Sequence, residues 1–167
     1  IMLSDTTNTR VYNNTLSMNN KDLVVKDTSR VNNNSAEYGA GITWISRNNV
    51  VKNNILSNTT SGGTLLDSSN CDTNENSELM IPVVKYNAYY RTSSLSSSGN
   101  PQSAIKWSFG NGWSNALGVK CTAGFNSVAA FDAANNFQAD ALVFDDVKNN
   151  PFFVDEANGD YRLKSGS

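Results

Sequence analysis

The chain has 167 residues, a net charge of −2 at pH 7 and a pI of about 5.0. Hydrophobic residues make up 38% of it and charged residues only 17%, so uncharged Asn, Ser and Thr carry most of the polarity. This balance excludes the basic footprint of a nucleic-acid binder, and no window is long and apolar enough to span a bilayer. With 3 Trp, 6 Tyr and 7 Phe the chain can bury a core, which argues against disorder.

A short pattern of apolar, polar, polar and Asn residues recurs along the first half of the chain. Residues 11–17 read VYNNTLS, residues 51–57 read VKNNILS, and residues 84–90 form a looser copy, VKYNAYY. The equivalent asparagines are Asn14, Asn54 and Asn87, which are 40 and 33 residues apart. Apolar runs of strand length lie between the copies, at residues 23–25, 42–45 and 64–66.

Short strands separated by polar corners are typical of a solenoid, whose coils stack about 4.8 Å apart. An Asn at the same corner of each coil can bond its neighbours, because its amide both donates and accepts hydrogen bonds. The spacing therefore predicts a ladder of Asn14, Asn54 and Asn87, although Asn is also simply abundant in this chain. The side chains predicted to face the core are Val11, Leu16, Val51, Ile55, Leu56 and Val84.

The second half of the chain lacks this repeat. After a Ser/Gly/Asn loop at residues 93–100, strands are predicted at residues 105–109, 152–154 and 161–163. Ser127 is a helix N-cap for residues 128–134, with Val128 and Phe131 on one face. We therefore divide the chain into parallel β-helix coils at residues 1–92 and a C-terminal capping region at residues 93–167, packed on the solenoid.

Two cysteines, Cys71 and Cys121, form either one disulfide or two unrelated thiols. A disulfide between them would close a loop of about 50 residues and stabilise the fold by about 4 kcal/mol. The chain contains no His, which excludes Ser/His/Asp and Cys/His catalytic sets and makes a zinc site improbable.

Three segments carry a family resemblance. Residues 48–57 (NNVVKNNILS) and 86–91 (YNAYYR) resemble coils of bacterial secreted right-handed parallel β-helix repeat proteins of the polysaccharide lyase-like superfamily. Residues 150–163 (NPFFVDEANGDYRL) resemble their closing motif. The resemblance implies an all-β fold: a short right-handed parallel β-helix of about two to three coils with an irregular C-terminal end piece containing one short helix.

The resemblance also implies a secreted or cell-surface protein that meets polysaccharides. The leading hypothesis is the C-terminal part of a polysaccharide-degrading enzyme, a lyase or glycoside hydrolase of the β-helix type. Fold does not fix chemistry, and the group also contains non-catalytic surface proteins. The alternatives are a structural, adhesive or glycan-binding module that associates with other coils or chains, and a passive cap of a longer solenoid.

A lyase of this kind needs a Lys or Arg base beside a uronate carboxylate, with a cation such as calcium to stabilise the enolate. The resemblance makes Lys26 and Arg30 candidate bases, but no motif marks them, and surface charges that balance each other are the favoured alternative. The turn at residues 155–160 is a weak candidate for calcium against an ordinary turn.

Four aromatic residues, Tyr38, Trp44, Trp107 and Trp113, are candidate platforms for sugar rings, with core packing as the alternative. Residues 1–3 begin a strand with no cap before it, so we expect upstream coils of the same protein or another copy to pack at this open N-terminal end. No nucleic-acid or membrane partner is expected.

Overall fold

The structure, a computed structural model, describes residues 1–28, 30–31, 41–58, 63–68, 76–91, 103–109, 121–135, 140–145 and 150–166. Two helices lie in these residues, α1 (Ser77–Met80) and α2 (Val128–Asn135), with a 3₁₀ turn at Glu156–Asn158. The strands in chain order are β1 (Met2–Ser4), β2 (Arg10–Tyr12), β3 (Thr15–Ser17), β4 (Lys21–Lys26), β5 (Arg30–Val31), β6 (Thr43–Trp44), β7 (Val50–Lys52), β8 (Ile55–Asn58), β9 (Thr64–Ser68), β10 (Val83–Lys85), β11 (Ala88–Arg91), β12 (Ile105–Ser108), β13 (Thr122–Phe125), β14 (Leu142–Asp145), β15 (Phe153–Asp155) and β16 (Asp160–Leu163).

The fold is mostly β and is built from three sheets of largely parallel strands. Sheet I has the strand order β10-β7-β2, sheet II β14-β11-β8-β3, and sheet III β1-β4-β9-β12-β13. Only the β12–β13 pair of these sheets is antiparallel. From β2 to β12 the chain passes from sheet I to sheet II to sheet III three times, so strands from successive circuits stack in the same sheets. Two antiparallel ladders, β5–β6 and β15–β16, stand apart.

One apolar core is shared by the three sheets. Val11, Val51 and Val84 are register partners in sheet I, and each is at most 5% exposed. Leu56 of sheet II and Leu66 of sheet III belong to the same cluster. Because register is kept between circuits, like side chains lie above one another and fill the interior in layers.

Ile55 was predicted to face this core, and that prediction is wrong. Its side chain packs with Tyr90 and Phe152 in a second cluster. Successive residues of a strand point to opposite faces, and the neighbouring Leu56 already occupies the inward position. Leu16 packs partly buried against the main core.

A column of asparagines joins the circuits at the corner between sheets I and II. The side-chain amide of Asn14 donates to Asn54 Oδ1 at 3.0 Å, and that of Asn54 donates to Asn87 Oδ1 at 2.9 Å. The backbone N–H groups of Asn14 and Asn54 donate to the same two oxygens, each at 3.0 Å. These bonds connect the three residues that the repeat spacing places at one corner.

The left-handed backbone that turns each corner lies one residue before the column. Asn13 has a φ of 56°, Asn53 of 55° and Tyr86 of 57°. Asn tolerates this conformation better than most residues, whereas Tyr rarely adopts it. The column amides are therefore free to bond between circuits while their predecessors make the turn.

The second half of the chain extends the same sheets. Strand β12 pairs with β9, and β14 pairs with β11. The Ser127 hydroxyl accepts a hydrogen bond from the Ala130 N–H and so caps α2, whose Val128 and Phe131 are fully buried. The division at residues 92 and 93 and the capping role of the second part stay predictions, but the second part contributes strands to the same sheets. Neither helix in the described ranges has the length and apolar character needed to cross a membrane.

Asn54 tests how much the column contributes to stability. Its side chain is 1% exposed and donates to the carbonyl groups of Val11 and Lys52 as well as to Asn87. We expect Asn54→Ala to lower the free energy of unfolding by about 2 to 4 kcal/mol in a urea titration, because buried polar groups lose their hydrogen-bond partners.

The matched control is Asn14→Ala at the half-buried end of the same column, which should cost about 1 kcal/mol or less in the same urea titration. Equal losses for the two variants would contradict a cooperative buried column.

Candidate functional site

The asparagine column ends at Asn14 with an unused acceptor. The side-chain oxygens of Asn54 and Asn87 each accept two hydrogen bonds from the Asn of the adjacent circuit. The Asn14 amide donates to Tyr12 O and Asn54 Oδ1, but its own Oδ1 receives no hydrogen bond from the described residues. The side-chain oxygen of Asn14 is therefore the one position in the column that could still accept hydrogen bonds from a further circuit.

Three strand edges lie on the same side of the molecule as that open acceptor. β1, β2 and β3 are the terminal strands of sheets III, I and II on the same side of the molecule. An edge strand presents backbone N–H and C=O groups that can pair with a further strand. This end thus offers an edge in each sheet together with the acceptor of Asn14.

A cleft of about 410 Å³ runs beside β3. Its lining combines an aliphatic floor with hydroxyl and amide groups, and the ring of Tyr161, which is 48% exposed, forms one wall. The residues that line the cleft are Ile1, Thr15, Leu16, Ser17, Asn19 and Tyr161.

A buried polar network lies behind Ser17. The Ser17 hydroxyl donates to Glu156 Oε1, and Glu156 is 2% exposed. The Asn150 amide donates to Glu156 Oε2 at 2.7 Å and to Ser57 Oγ at 2.9 Å. Asn150 Oδ1 accepts the Phe152 N–H at 2.7 Å, which fixes the start of the C-terminal hairpin. The network therefore fastens residues 150–156 to the outer face of sheet II.

A second buried carboxyl group, Asp22, lies close enough to Glu156 to feel its charge. Asp22 is fully buried, and only its Oδ1 is hydrogen-bonded within the described residues, by the Asn19 amide at 3.0 Å. Burial raises the pKa of Asp22 to about 7; the Asn19 hydrogen bonds oppose this shift and the negative charge of Glu156 adds to it. Burial and Glu156 also raise the pKa of Tyr90. This end of the molecule is therefore sensitive to protonation.

The acidic turn that follows β15 uses its carboxylates internally. Glu156 is bound by Ser17 and Asn150, and Asp160 is paired with Arg162 at 2.6 Å. The Arg162 hydrogen bonds lower the pKa of Asp160 to about 2. No group of three or more His, Cys, Asp or Glu side chains in the described ranges could hold a metal ion.

The two candidate bases lie on different strands. Lys26 is exposed at the end of β4, and Arg30 begins β5, where its backbone pairs with Trp44 of β6. Trp44 is 40% exposed. The backbone pairing thus places Arg30 opposite one predicted sugar platform, and Lys26 does not line the cleft beside β3. Tyr38 and Trp113 lie outside the described residues.

Trp107 is a core residue, so for this residue the alternative of core packing is confirmed and the sugar platform is wrong. It is fully buried in β12, and its ring centroid lies 5.0 Å from that of Phe131. In sheet III its side chain points inward, where α2 covers it. Its indole ring therefore contributes packing and has no face open to a ligand.

Cys121 is disulfide-bonded, and its backbone φ is 58°. Cys71, its predicted partner, lies outside the described residues. The predicted disulfide therefore has one end in the segment that leads into β13.

The sequence placed Glu156 in a candidate calcium turn but did not predict its burial, and it assigned no site role to Asn150 or Tyr161. Glu156 belongs to a turn, and turn carboxylates are normally exposed, so nothing local signals its burial. Asn150 before Pro151 could have indicated a turn at this point. An Asn side chain often accepts a hydrogen bond from a backbone N–H two residues later, which forms an Asx-turn. Comparisons with family models, curated proteins and solved structures find no match to this chain.

The pH dependence of stability tests the environment of Asp22. The pKa of Asp22 is about 7 in the folded protein and 3.8 ordinarily. The stability that the protonated Asp22 carboxyl group contributes is therefore fully present below pH 4 and is lost as the pH rises through 7. Asp22→Asn should therefore match the parent near pH 4 and exceed its unfolding free energy by about 2 to 4 kcal/mol at pH 8.

The control is Asp155→Asn, which removes an exposed carboxylate of the nearby hairpin. Urea titrations at both pH values should show no comparable gain for it. Parallel pH profiles for the parent and Asp22→Asn would refute the assignment.

Proposed function

We propose that this chain is the C-terminal part of an extracellular, carbohydrate-associated right-handed parallel β-helix protein. In it the chain serves as a non-catalytic module whose β1, β2 and β3 edges receive a further coil. The observation that carries this proposal is the open Oδ1 of Asn14 beside those three edges.

The chain's own circuits support the stacking role. Met2 pairs with Val24, so the shortest circuit takes 22 residues and needs only polar corners. A coil of the same kind placed on β2 and β3 would bring an Asn amide and backbone N–H to Asn14, as Asn14 does to Asn54. The incoming coil would repeat bonds that the protein already makes.

The features of the opposite end support a C-terminal position of this module in a longer solenoid. Strand β13 covers the edge of β12 in an antiparallel direction, which interrupts the parallel stack of sheet III. Helix α2 packs against β13 and β14 at the same end. An end of this kind is suited to terminate a solenoid, because the antiparallel β13 interrupts the parallel stack and α2 packs over part of the core.

Export is supported by the disulfide at Cys121, because disulfides persist in oxidising compartments. Carbohydrate association rests on the resemblance of residues 48–57, 86–91 and 150–163 to secreted β-helix proteins.

A binding module is favoured over a lyase by the surroundings of Lys26. The neighbouring Asp27 is fully buried and accepts the Ser46 N–H at 3.1 Å, which is a structural contact. Lys26 itself lies at a strand end that does not border the cleft.

A tandem insertion tests the coil-receiving edge. A second copy of residues 5–26 inserted after Lys26 adds 22 residues, the length of the circuit between Met2 and Val24. We expect the longer protein to unfold in one transition with a larger urea m-value, because the new coil buries additional surface. Hydrogen exchange should show protected amides in both copies of β2 and β3.

An insertion of the same 22 residues in scrambled order is the control, and its added segment should exchange freely. If the intact copy also exchanges freely and leaves the m-value unchanged, the edge does not receive coils and the proposal fails.

A further inference from the structure

The side chain of Lys164 reaches a buried amide at the start of the C-terminal hairpin. In the β15–β16 ladder Phe153 pairs with Leu163, and the backbone N–H of Lys164 donates to Phe152 O at 2.9 Å. From this position the Lys164 side chain extends back along the hairpin, and its Nζ donates to the main-chain oxygen of Asn150 at 2.5 Å. A primary amine is thus held against a residue that is only 7% exposed.

The side-chain carbonyl group of Asn150 is polarised by two backbone donors. Its Oδ1 accepts the N–H of Phe152 at 2.7 Å and the N–H of Phe153 at 3.1 Å. Two N–H groups on one carbonyl oxygen stabilise the negative charge that develops there when a nucleophile attacks the carbonyl carbon. The Asn150 side chain is therefore activated towards attack at its Cγ.

The amide nitrogen of Asn150 is bound to a carboxyl group that can carry a proton. Its Nδ2 donates to Glu156 Oε2 at 2.7 Å and to Ser57 Oγ at 2.9 Å. The other oxygen of Glu156 accepts the Ser17 hydroxyl, which fixes the carboxyl group in place. A carboxyl group in contact with a departing nitrogen can deliver the proton that this nitrogen needs to leave.

We propose that Lys164 and Asn150 form an intramolecular isopeptide bond, with Glu156 as the catalytic proton carrier. The Lys164 ammonium group gives one proton to Glu156, and the neutral amine turns from the main-chain oxygen of Asn150 to attack Cγ of the same residue. The Cγ–Nδ2 bond then breaks. The departing nitrogen takes the proton from Glu156 and one from the attacking nitrogen and leaves as ammonium, so that an amide joins Lys164 Nζ to Asn150 Cγ.

The surroundings of these groups favour the link over reaction with water. Glu156 is 2% exposed, and Tyr90, Phe152 and Phe153 form the apolar cluster next to it. A site closed to water loses little of its activated amide to hydrolysis. Because amine and amide belong to one hairpin, a short movement within the chain replaces an encounter between molecules, which favours the reaction. The resulting amide would lock the hairpin that covers the outer face of sheet II.

Intact-protein mass spectrometry tests this bond. We expect the folded parent to weigh less than its sequence by one ammonia molecule, whereas Lys164→Arg should carry its full sequence mass. After tryptic digestion of the parent, residues 149–162 should remain joined to residues 163–167, because trypsin does not cleave after an acylated lysine. The matched control, Lys106→Arg, changes a lysine of β12 and should lose ammonia as the parent does.

The variant Glu156→Gln separates proton transfer from packing. The glutamine side chain keeps an oxygen that can accept the Ser17 hydroxyl, but it cannot carry a proton. We therefore expect the unlinked chain of this variant to persist about a hundredfold longer or more than that of the parent, with an unchanged circular dichroism spectrum.

The mass of the parent decides the matter even where Glu156→Gln does not fold. A folded parent that keeps its full sequence mass after prolonged incubation at neutral pH would overturn the proposal, as would linking of folded Glu156→Gln at the parent's rate. Loss of ammonia without the joined peptides would also overturn it, because Asn158 before Gly159 can lose ammonia on its own by forming a succinimide.

Discussion

The buried amide of Asn54 constrains the rest of the structure. An amide inside a protein must find both donors and acceptors, and Asn54 finds them on the circuit before it and the circuit after it. A shift of one residue in either neighbouring strand would turn the side chains to the wrong face and break all of these bonds at once. The column thereby fixes the register of sheets I and II and the layering of the core.

The same constraint leaves the two ends of the column unequal. Asn87 lies inside the stack, where its backbone carbonyl accepts the Leu142 N–H of β14. Asn14 lies at the outer end, at the corner between the terminal strands β2 and β3. In β4 of the same circuit, burial and, to a smaller extent, the negative charge of Glu156 raise the pKa of Asp22, so this circuit contains a group that responds to pH.

The outer faces of sheets I and II differ in how far other parts of the chain cover them. The outward side chains of sheet II, including Tyr90 and Phe144, are covered by Phe152 and Phe153 of the C-terminal hairpin. In sheet I, lysines take the equivalent outward places, and Lys85 and Tyr12 are exposed while Lys52 is partly exposed. The hairpin therefore buries the outer face of sheet II, whereas the outer face of sheet I is in contact with solvent. A solvent-exposed face is a condition for a binding surface.

The sequence by itself determined the features that depend on local residue patterns, namely the repeated corners and the helix cap. The recurring Asn at positions 14, 54 and 87 and the Ser127 cap of α2 were readable, because corners and caps need particular side chains at fixed offsets. The tertiary structure alone decided which residues face inward and which distant groups meet. The sequence left Trp107 open between a sugar platform and the core, placed Ile55 in the wrong cluster and gave no sign that Glu156 is buried, because burial depends on the element that packs over a residue. The row of Tyr12, Lys52 and Lys85 exists only once three distant strands stack in register.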